Sequence, residues 1–398
     1  MASGFVIAKV VAIYTGPTGI AMLGQIQGLV SALNGITAAP AGSGVVRYTA
    51  EYQAEGFDGC APWWRASLKW TMVLLAVVIP IGCLFSKPLA LWIFGDVNYF
   101  WLVVMTALAL PLSVANTLIA SVINGQHQYR RFIGLGVVSV FVATIAMVLL
   151  VMKANLEGAM IAAVLFSSIS GLVMLVGSLQ QPWFRLKYWW GATDGTHLKG
   201  IGGYVAMAVT TALTLPISLL VVRKILIAKV GWEQAGHWQA VWKISEVYLG
   251  VITMALSTYF LPKLASLDGV DVILKEIKTT AKIVIPVVII LAALVYILRD
   301  VAIKLIFTEA FGPARELFAM QLVGDVVKIV SWLYAYPMLS RGATKWFMGT
   351  EIVFSTSFVL LAYVFVMSYG VQGANYAYVA SYCLYLIFLY KNIKRFSR

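Results

Sequence analysis

Residues 315–336, RELFAMQLVGDVVKIVSWLYAY, set an acid and a base inside an otherwise apolar helix. Asp325 and Lys328 stand three positions apart, so on a helix they share a face and can pair. Steps of three or four extend that face from Gln321 through the two charges to Trp332. A charge near the centre of a bilayer costs roughly 2.5–3.5 kcal/mol on insertion scales, so it turns to a partner or a protein-lined cavity. A second stripe runs through Gln239, Lys243, Glu246, Gly250, Thr253 and Ser257, with Trp238 and Trp242 beside it. Lys243 and Glu246 repeat the i,i+3 spacing with the signs reversed. Glu351 opens a later apolar run and Lys9 lies within the first one. The N-terminal half is milder, with Gln27, Ser31, Asn34 and Asn116 as its polar positions. One such pair could simply lock two helices together. Two pairs with a further acid and base favour a hydrated, charged lumen.

Other chemistry finds no footing. Neither a nucleophile–base set nor a phosphate-cradling glycine loop stands out, and the connections are too short for a catalytic domain. Cys60, Cys83 and Cys383 have no framework spacing, and the three histidines fall outside any ligand pattern, so no metal is expected.

Composition fixes the solvent. Of 398 residues, 61% are hydrophobic and 11% charged, and mean hydropathy is +0.89. A soluble chain of this size could not bury so much apolar surface, so an all-α polytopic membrane protein is expected. Twelve spans are predicted: 3–15, 19–39, 68–85, 99–123, 132–152, 157–178, 200–223, 236–260, 279–298, 315–339, 345–368 and 373–390. The first is short, at roughly 22 Å against a ~30 Å hydrocarbon core. Either helix 1 starts inside the bilayer or this chain's start lies downstream of the natural one. No charged n-region precedes it, so no cleavable signal peptide is expected.

The net charge of +13 is assigned to loops facing anionic lipid. With the N-terminus inside, roughly 18 Lys and Arg fall on the cytoplasmic side and 8 on the other, out of 29. The cytoplasmic set includes Arg47, Arg341, Lys345 and the tail residues Lys391, Lys394, Arg395 and Arg398. Both termini are therefore expected in the cytoplasm. Residues 179–199 form a basic, aromatic linker between an N-terminal bundle (1–178) and a C-terminal bundle (200–398). Its Trp183, Tyr188, Trp189 and Trp190 suit the headgroup zone, with Arg185 and Lys187 facing anionic lipid. An internal repeat supports the division. Lys9 to Ala12 precede Gly16 as Lys224 to Ala228 precede Gly231, a shift of roughly 214–215 residues that implies parallel repeats.

Several passages now point to a family: VVAIYTGPTGIAMLGQ (10–25), VVRYTAEY (45–52), HWQAVWKISEVYLG (237–250), TYFLPKLASL (258–267) and RELFAMQLVGDVVK (315–328). In these, and through nearly its whole length, the chain is similar to the bacterial Wzx-type O-antigen and common-antigen flippases. That resemblance implies a V-shaped pair of pseudo-symmetric six-helix bundles of the multidrug/oligosaccharidyl-lipid/polysaccharide exporter superfamily. It implies transfer of an undecaprenyl-pyrophosphate-linked oligosaccharide from the cytoplasmic to the periplasmic leaflet of a bacterial inner membrane, with an O-antigen polymerase and chain-length regulator as further partners. Family members carry a longer N-terminus, which bears on helix 1.

On this reading Lys9 and Lys224 occupy equivalent depths and attract the pyrophosphate, with Arg47 as first contact. Lys243, Gln239 and Lys328 line the lumen, and Trp242 and Trp332 stack on sugar rings. Glu246, Asp325 and Glu351 are candidates to couple transport to H+ or Na+; no other cofactor is expected. The alternatives are a cation-coupled multidrug exporter on the same fold, which would favour an acidic pocket in the N-terminal half, and a lipid II flippase, whose family carries two further C-terminal helices. A membrane glycan enzyme is a more distant one.

Overall fold

The computed structural model describes residues 2–267 and 269–396. Arg398, one of the expected cytoplasmic cations, lies outside them. The described residues form fourteen α-helices with short 3-10 and π segments and no strand. These are α1 (Ala2–Thr37), α2 (Ser43–Glu51), α3 (Gly56–Leu84), α4 (Ser86–Phe94), α5 (Phe100–Gly125), α6 (Tyr129–Ser178) and α7 (Leu186–Trp189). They continue with α8 (Gly195–Ala255), α9 (Leu261–Ala265), α10 (Val270–Ile297), α11 (Arg299–Ile306), α12 (Phe318–Ser340), α13 (Thr344–Tyr369) and α14 (Gln372–Phe396). Eight helical stretches among the described residues are long and apolar enough to cross a membrane. This is an all-α polytopic membrane protein.

Three of those stretches are broken in mid-course, which reconciles eight with the twelve predicted spans. α1 breaks at Gly16, α6 at Ala154–Asn155 and α8 at Gly231. Each break falls between two predicted spans. The twelfth span is α14, which is more polar than the rest.

The breaks also carry the repeat. Gly16 has φ 63° and ψ −164°, and Gly231, 215 positions on (231 − 16), has φ 83° and ψ 171°. Asn155 (φ 47°, ψ −120°) and Gly370 (φ 60°, ψ −141°) are again 215 apart (370 − 155). His127 (φ 56°) and Gly342 (φ 63°), in the connections after α5 and α12, share the same shift (342 − 127). Left-handed backbone is rare outside glycine and is tolerated best by Asn, Asp and His, so its recurrence at one interval is strong evidence for duplicated architecture.

By internal contacts the chain divides into two units, Met1–Gly24 with Ser218–Arg398, and Gln25–Ile217. These boundaries differ from the division at 179–199. The cuts fall inside α1 and α8, because each of these long helices contributes its two parts to different units. The first unit has a core of Leu249, Phe260, Ile329, Leu333, Leu389 and their neighbours, supplied by α8, the π segment Leu256–Phe260, α10, α12 and α14. In it the breaks of α1 and α8 meet: a Cβ at Gly236 would collide with the carbonyl oxygen of Pro17. Gly236→Ala is therefore expected to destabilise the protein by about 1–3 kcal/mol, the usual range for overpacking. Thermal unfolding in detergent would read this as a lowered midpoint, and an unchanged midpoint would refute the close approach.

The second unit is built around Trp64, Val122, Ile123 and Trp183. Here the linker departs from expectation. Trp183 and Tyr188 are buried in that core rather than lying at the headgroups, and only Trp190 is well exposed. Backbone carbonyls explain the docking. Arg65 donates to the carbonyls of Lys187 (2.6 Å) and Ala192 (3.3 Å), and Trp70 Nε1 donates to that of Leu198 (3.0 Å). These donors on α3 satisfy linker groups that a freely hydrated loop would leave to water.

Candidate functional site

The C-terminal residues of the first unit bring α8, α12 and α14 around the two charges of α12. Asp325 is fully buried, with 0% of its surface exposed. Its Oδ2 accepts from Tyr248 Oη at 2.6 Å, and its Oδ1 accepts from Tyr378 Oη at 3.0 Å and Gln321 Nε2 at 3.2 Å. The hydroxyl of Ser245 is a further hydrogen-bonding neighbour. Every one of these donors is uncharged. A carboxylate is acceptor-only and can take several donors at once, so the site is built for its oxygens.

Lys328 is also buried, at 8% exposure, but it forms no ion pair with Asp325 within 4.0 Å among the described residues. The direct pair that the spacing permits is not made. The ammonium lies instead against four rings: Trp332 at 5.0 Å, Tyr382 at 5.7 Å, Trp242 at 5.8 Å and Tyr378 at 5.9 Å from their centroids. Each lies inside the ~6 Å reach of a cation–π attraction. Pairing failed because both side chains found better-placed partners on neighbouring helices.

Two of those rings connect the cation to acids. Tyr378 holds Asp325 through its hydroxyl while its ring faces Lys328. Trp242 donates from Nε1 to Glu246 Oε1 at 3.1 Å while its ring also faces Lys328. Glu246 in turn takes Lys243, with Nζ to Oε2 at 3.1 Å, as the i,i+3 spacing predicted. That pair is only part-covered, at 38% and 46% side-chain exposure, so in water it would contribute about 1 kcal/mol at most. Glu246 and Glu351 both lie within Coulombic range of Lys328. Beneath the cage, Trp238 stacks obliquely on Trp242 (5.2 Å) and donates to Asn375 Oδ1 (3.0 Å). Asn375 donates on to the carbonyl of Leu317 at 3.0 Å.

The other sequence candidates are dispersed. Gln239 is buried against Gly24, where no Cβ would fit. Lys9 donates to the carbonyls of Lys304 (2.8 Å) and Phe307 (2.5 Å), at the C-terminal end of α11. Last-turn carbonyls have no partner within their own helix and attract cations. Lys224 makes no hydrogen bond or ion pair among the described residues, so the repeat-related lysines have different surroundings. Arg47, in the second unit, donates to Tyr204 Oη (2.6 Å) and pairs with Glu51 (3.5 Å). The bond to Tyr204, then the charge of Glu51, hold its guanidinium above its ordinary value. Arg223, expected near a span end, is buried on α8 and donates to the Gly24 carbonyl.

Lys9→Met should uncap α11. Losing a cation at a helix C-terminus costs about 1 kcal/mol, so amide exchange over 299–307 is expected to quicken roughly fivefold. Unchanged exchange there would show that the two carbonyls do not depend on Lys9.

Comparison with known proteins bears on what such a site serves. No protein-family model matches the chain. The lipid III flippases of Escherichia coli (strain K12) and Shigella flexneri are each 27% identical to it over 389 residues, 96% of this chain and 92% of theirs. An inward-facing multidrug resistance MATE family transporter of the MOP superfamily superposes with a TM-score of 0.80 at 13% identity, covering 100% of this chain and 95% of that one. By sequence the chain resembles the lipid III flippases, and its fold is the MATE fold. An outward-facing MATE transporter gives a TM-score of 0.70 at 15% identity, over 99% of this chain and 92% of that one. A MOP superfamily transporter from Pyrococcus furiosus gives 0.66 at 14%, over 100% and 95%. The likeness is thus to flippases by sequence and to transporters by fold.

Proposed function

We propose that this chain flips an undecaprenyl-pyrophosphate-linked oligosaccharide from the cytoplasmic to the periplasmic leaflet of a bacterial inner membrane. The observation that carries the reading is its likeness to lipid III flippases along 96% of its length. The caged charges agree with it, because a helix holding Asp325 and Lys328 in an apolar membrane costs too much to be ornamental. The oligosaccharide is either the common-antigen lipid III of those relatives or an O-antigen repeat unit of lipopolysaccharide. Lys224, Lys243 and Arg47 offer cations to the pyrophosphate, and Trp332, the half-buried wall of the cage, offers a face to sugars. Glu246, Asp325 and Glu351 are the groups through which H+ or Na+ drives the cycle. Within the predicted spans of the N-terminal half the one acid is Glu157, at the first position of its span, which disfavours the drug-exporter alternative.

The test uses two hosts, one deleted for its lipid III flippase and one for its O-antigen flippase. Expression of the chain should restore surface glycan in at least one, and an imposed proton or sodium gradient should accelerate transfer in reconstituted vesicles. Failure in both hosts, with the protein present in the membrane at normal levels, would overturn the assignment.

A further inference from the structure

A second feature of the first unit lies along α13 and α14, joined to the cage through Tyr385 and Tyr382. α13 and α14 enclose an apolar groove of about 350 Å³, lined by Trp346, Val353, Phe354 and Phe388, with Lys345 at its end. That volume is at the lower end of the ~300–1,000 Å³ of small-molecule sites, so it suits a segment of a long chain. Gly349 leaves the groove open, since nothing lies within 4 Å of where its Cβ would be. The rings pack on one another, Phe354 on Phe388 at 5.4 Å and Trp346 between Phe388 (6.2 Å) and Phe396 (5.8 Å). The wall is therefore firm rather than a loose helix surface.

The groove's polar end is cationic and unsatisfied. Lys345 is exposed and has no hydrogen bond, ion pair or ring contact among the described residues. Trp346 Nε1 has no hydrogen-bond acceptor among them either. Lys391, Lys394 and Arg395 add charge at the neighbouring end of α14, the last two in its final turn. A dry cleft that ends in unpartnered donors fits an amphiphile with an anionic head and a hydrocarbon tail. Methyl-branched, unsaturated hydrocarbon has flat faces to lay against rings, which favours an isoprenoid over a straight acyl chain.

We infer that the α13–α14 groove is a docking site for the polyprenyl pyrophosphate end of the transported lipid, with Lys345 and Trp346 holding the phosphate and Val353, Phe354 and Phe388 holding the first isoprene units. This rests on the flippase reading above. It gives the tail residues of its own beside the caged charges, with Phe354 leading to the cage through Tyr385 and Tyr382.

The test is binding of sugar-free undecaprenyl pyrophosphate to the purified full chain in detergent, with phosphatidylglycerol as competitor. Gly349→Leu projects into the groove from a position whose Cβ meets nothing within 4 Å, and leucine is a better helix former than glycine, so the variant folds. Gly349→Leu and Lys345→Ala should each weaken binding about tenfold, and Lys345→Arg should stay within about twofold of the parent. Wild-type affinity in Gly349→Leu, or displacement of the probe by an equal amount of phosphatidylglycerol, would overturn the proposal. Glycan display in the deletion hosts is scored in parallel. If the parent restores glycan while the groove variants bind normally, the groove fails and the flippase reading stands. If binding depends on the groove but no glycan returns, the reverse holds.

Discussion

Asp325→Asn is expected to abolish glycan translocation while the protein still accumulates in the membrane. The isosteric amide keeps one acceptor oxygen but turns an N–H toward hydroxyls that now donate to a carboxylate, Tyr248 at 2.6 Å and Tyr378 at 3.0 Å. A hydroxyl can rotate to accept, so the fold survives with a loss of about 1–3 kcal/mol, the scale of one buried hydrogen bond to a charged group. Charge cannot be restored by rotation. Asp325→Ala goes further, leaving Tyr248, Tyr378 and Gln321 without their acceptor, and should lower the unfolding midpoint more than Asn does. Display of surface glycan and thermal unfolding of the purified protein are the two readouts. Full display by Asp325→Asn at matched expression would remove this carboxylate from the transport cycle.

Lys328→Met carries the opposite stability prediction. A buried ammonium with no acid inside 4.0 Å among the described residues sits far from its preferred solvent, and four rings at 5.0–5.9 Å return only part of the loss. Desolvation of one ion costs several kcal/mol, against about 0.5 kcal/mol for each ring near the outer limit of its reach. Methionine has nearly the same length, and its sulfur packs favourably on aromatic edges. The variant should therefore unfold no earlier than the parent, and later by an amount worth about 1 kcal/mol if the cage stays dry. Transport should fall at least about a hundredfold, some 2.7 kcal/mol, because the cation against the rings that bond Asp325 and Glu246 is gone. Lys328→Arg should recover part of it. A methionine variant that unfolds early, or one that transports normally, would sink the view that this charge is kept for function at the expense of stability.

Much of this arrangement could be read before any coordinates. Hydropathy placed every break of the long helices between spans, and the shift from Lys9 to Lys224 anticipated the interval at which left-handed backbone recurs. The acid and base of α12 stood out because charge in a membrane helix is costly. Their partners did not stand out. Tyr248 and Tyr378 are amphipathic, and in a helix already rich in rings nothing local separates a tyrosine that holds a carboxylate from one that meets lipid. Tyr248 lies 77 positions from Asp325 and Tyr378 lies 53 away, so only tertiary packing could select them. Spacing could not decide the Asp325–Lys328 bond for the same reason. A shared helix face permits contact, but competition from α8 and α14 decided otherwise. Trp183 was misplaced because an aromatic, basic linker looks alike whether it lies on lipid or on protein.

The bond between Lys9 and the end of α11 also has a consequence in time. Its donor and nearer acceptor in sequence are 295 residues apart. At the ~5–20 residues per second of synthesis, the first span leaves the ribosome about 15–60 s before Lys304 exists. Throughout that interval its ammonium lacks both native acceptors, although the segment around it already belongs in the bilayer. The neighbour it settles against in the finished protein, the break at Gly231–Gly236, is itself more than half a chain away. Assembly must therefore hold the earliest helix in reserve and seat it late, when the end of α11 closes over the lysine.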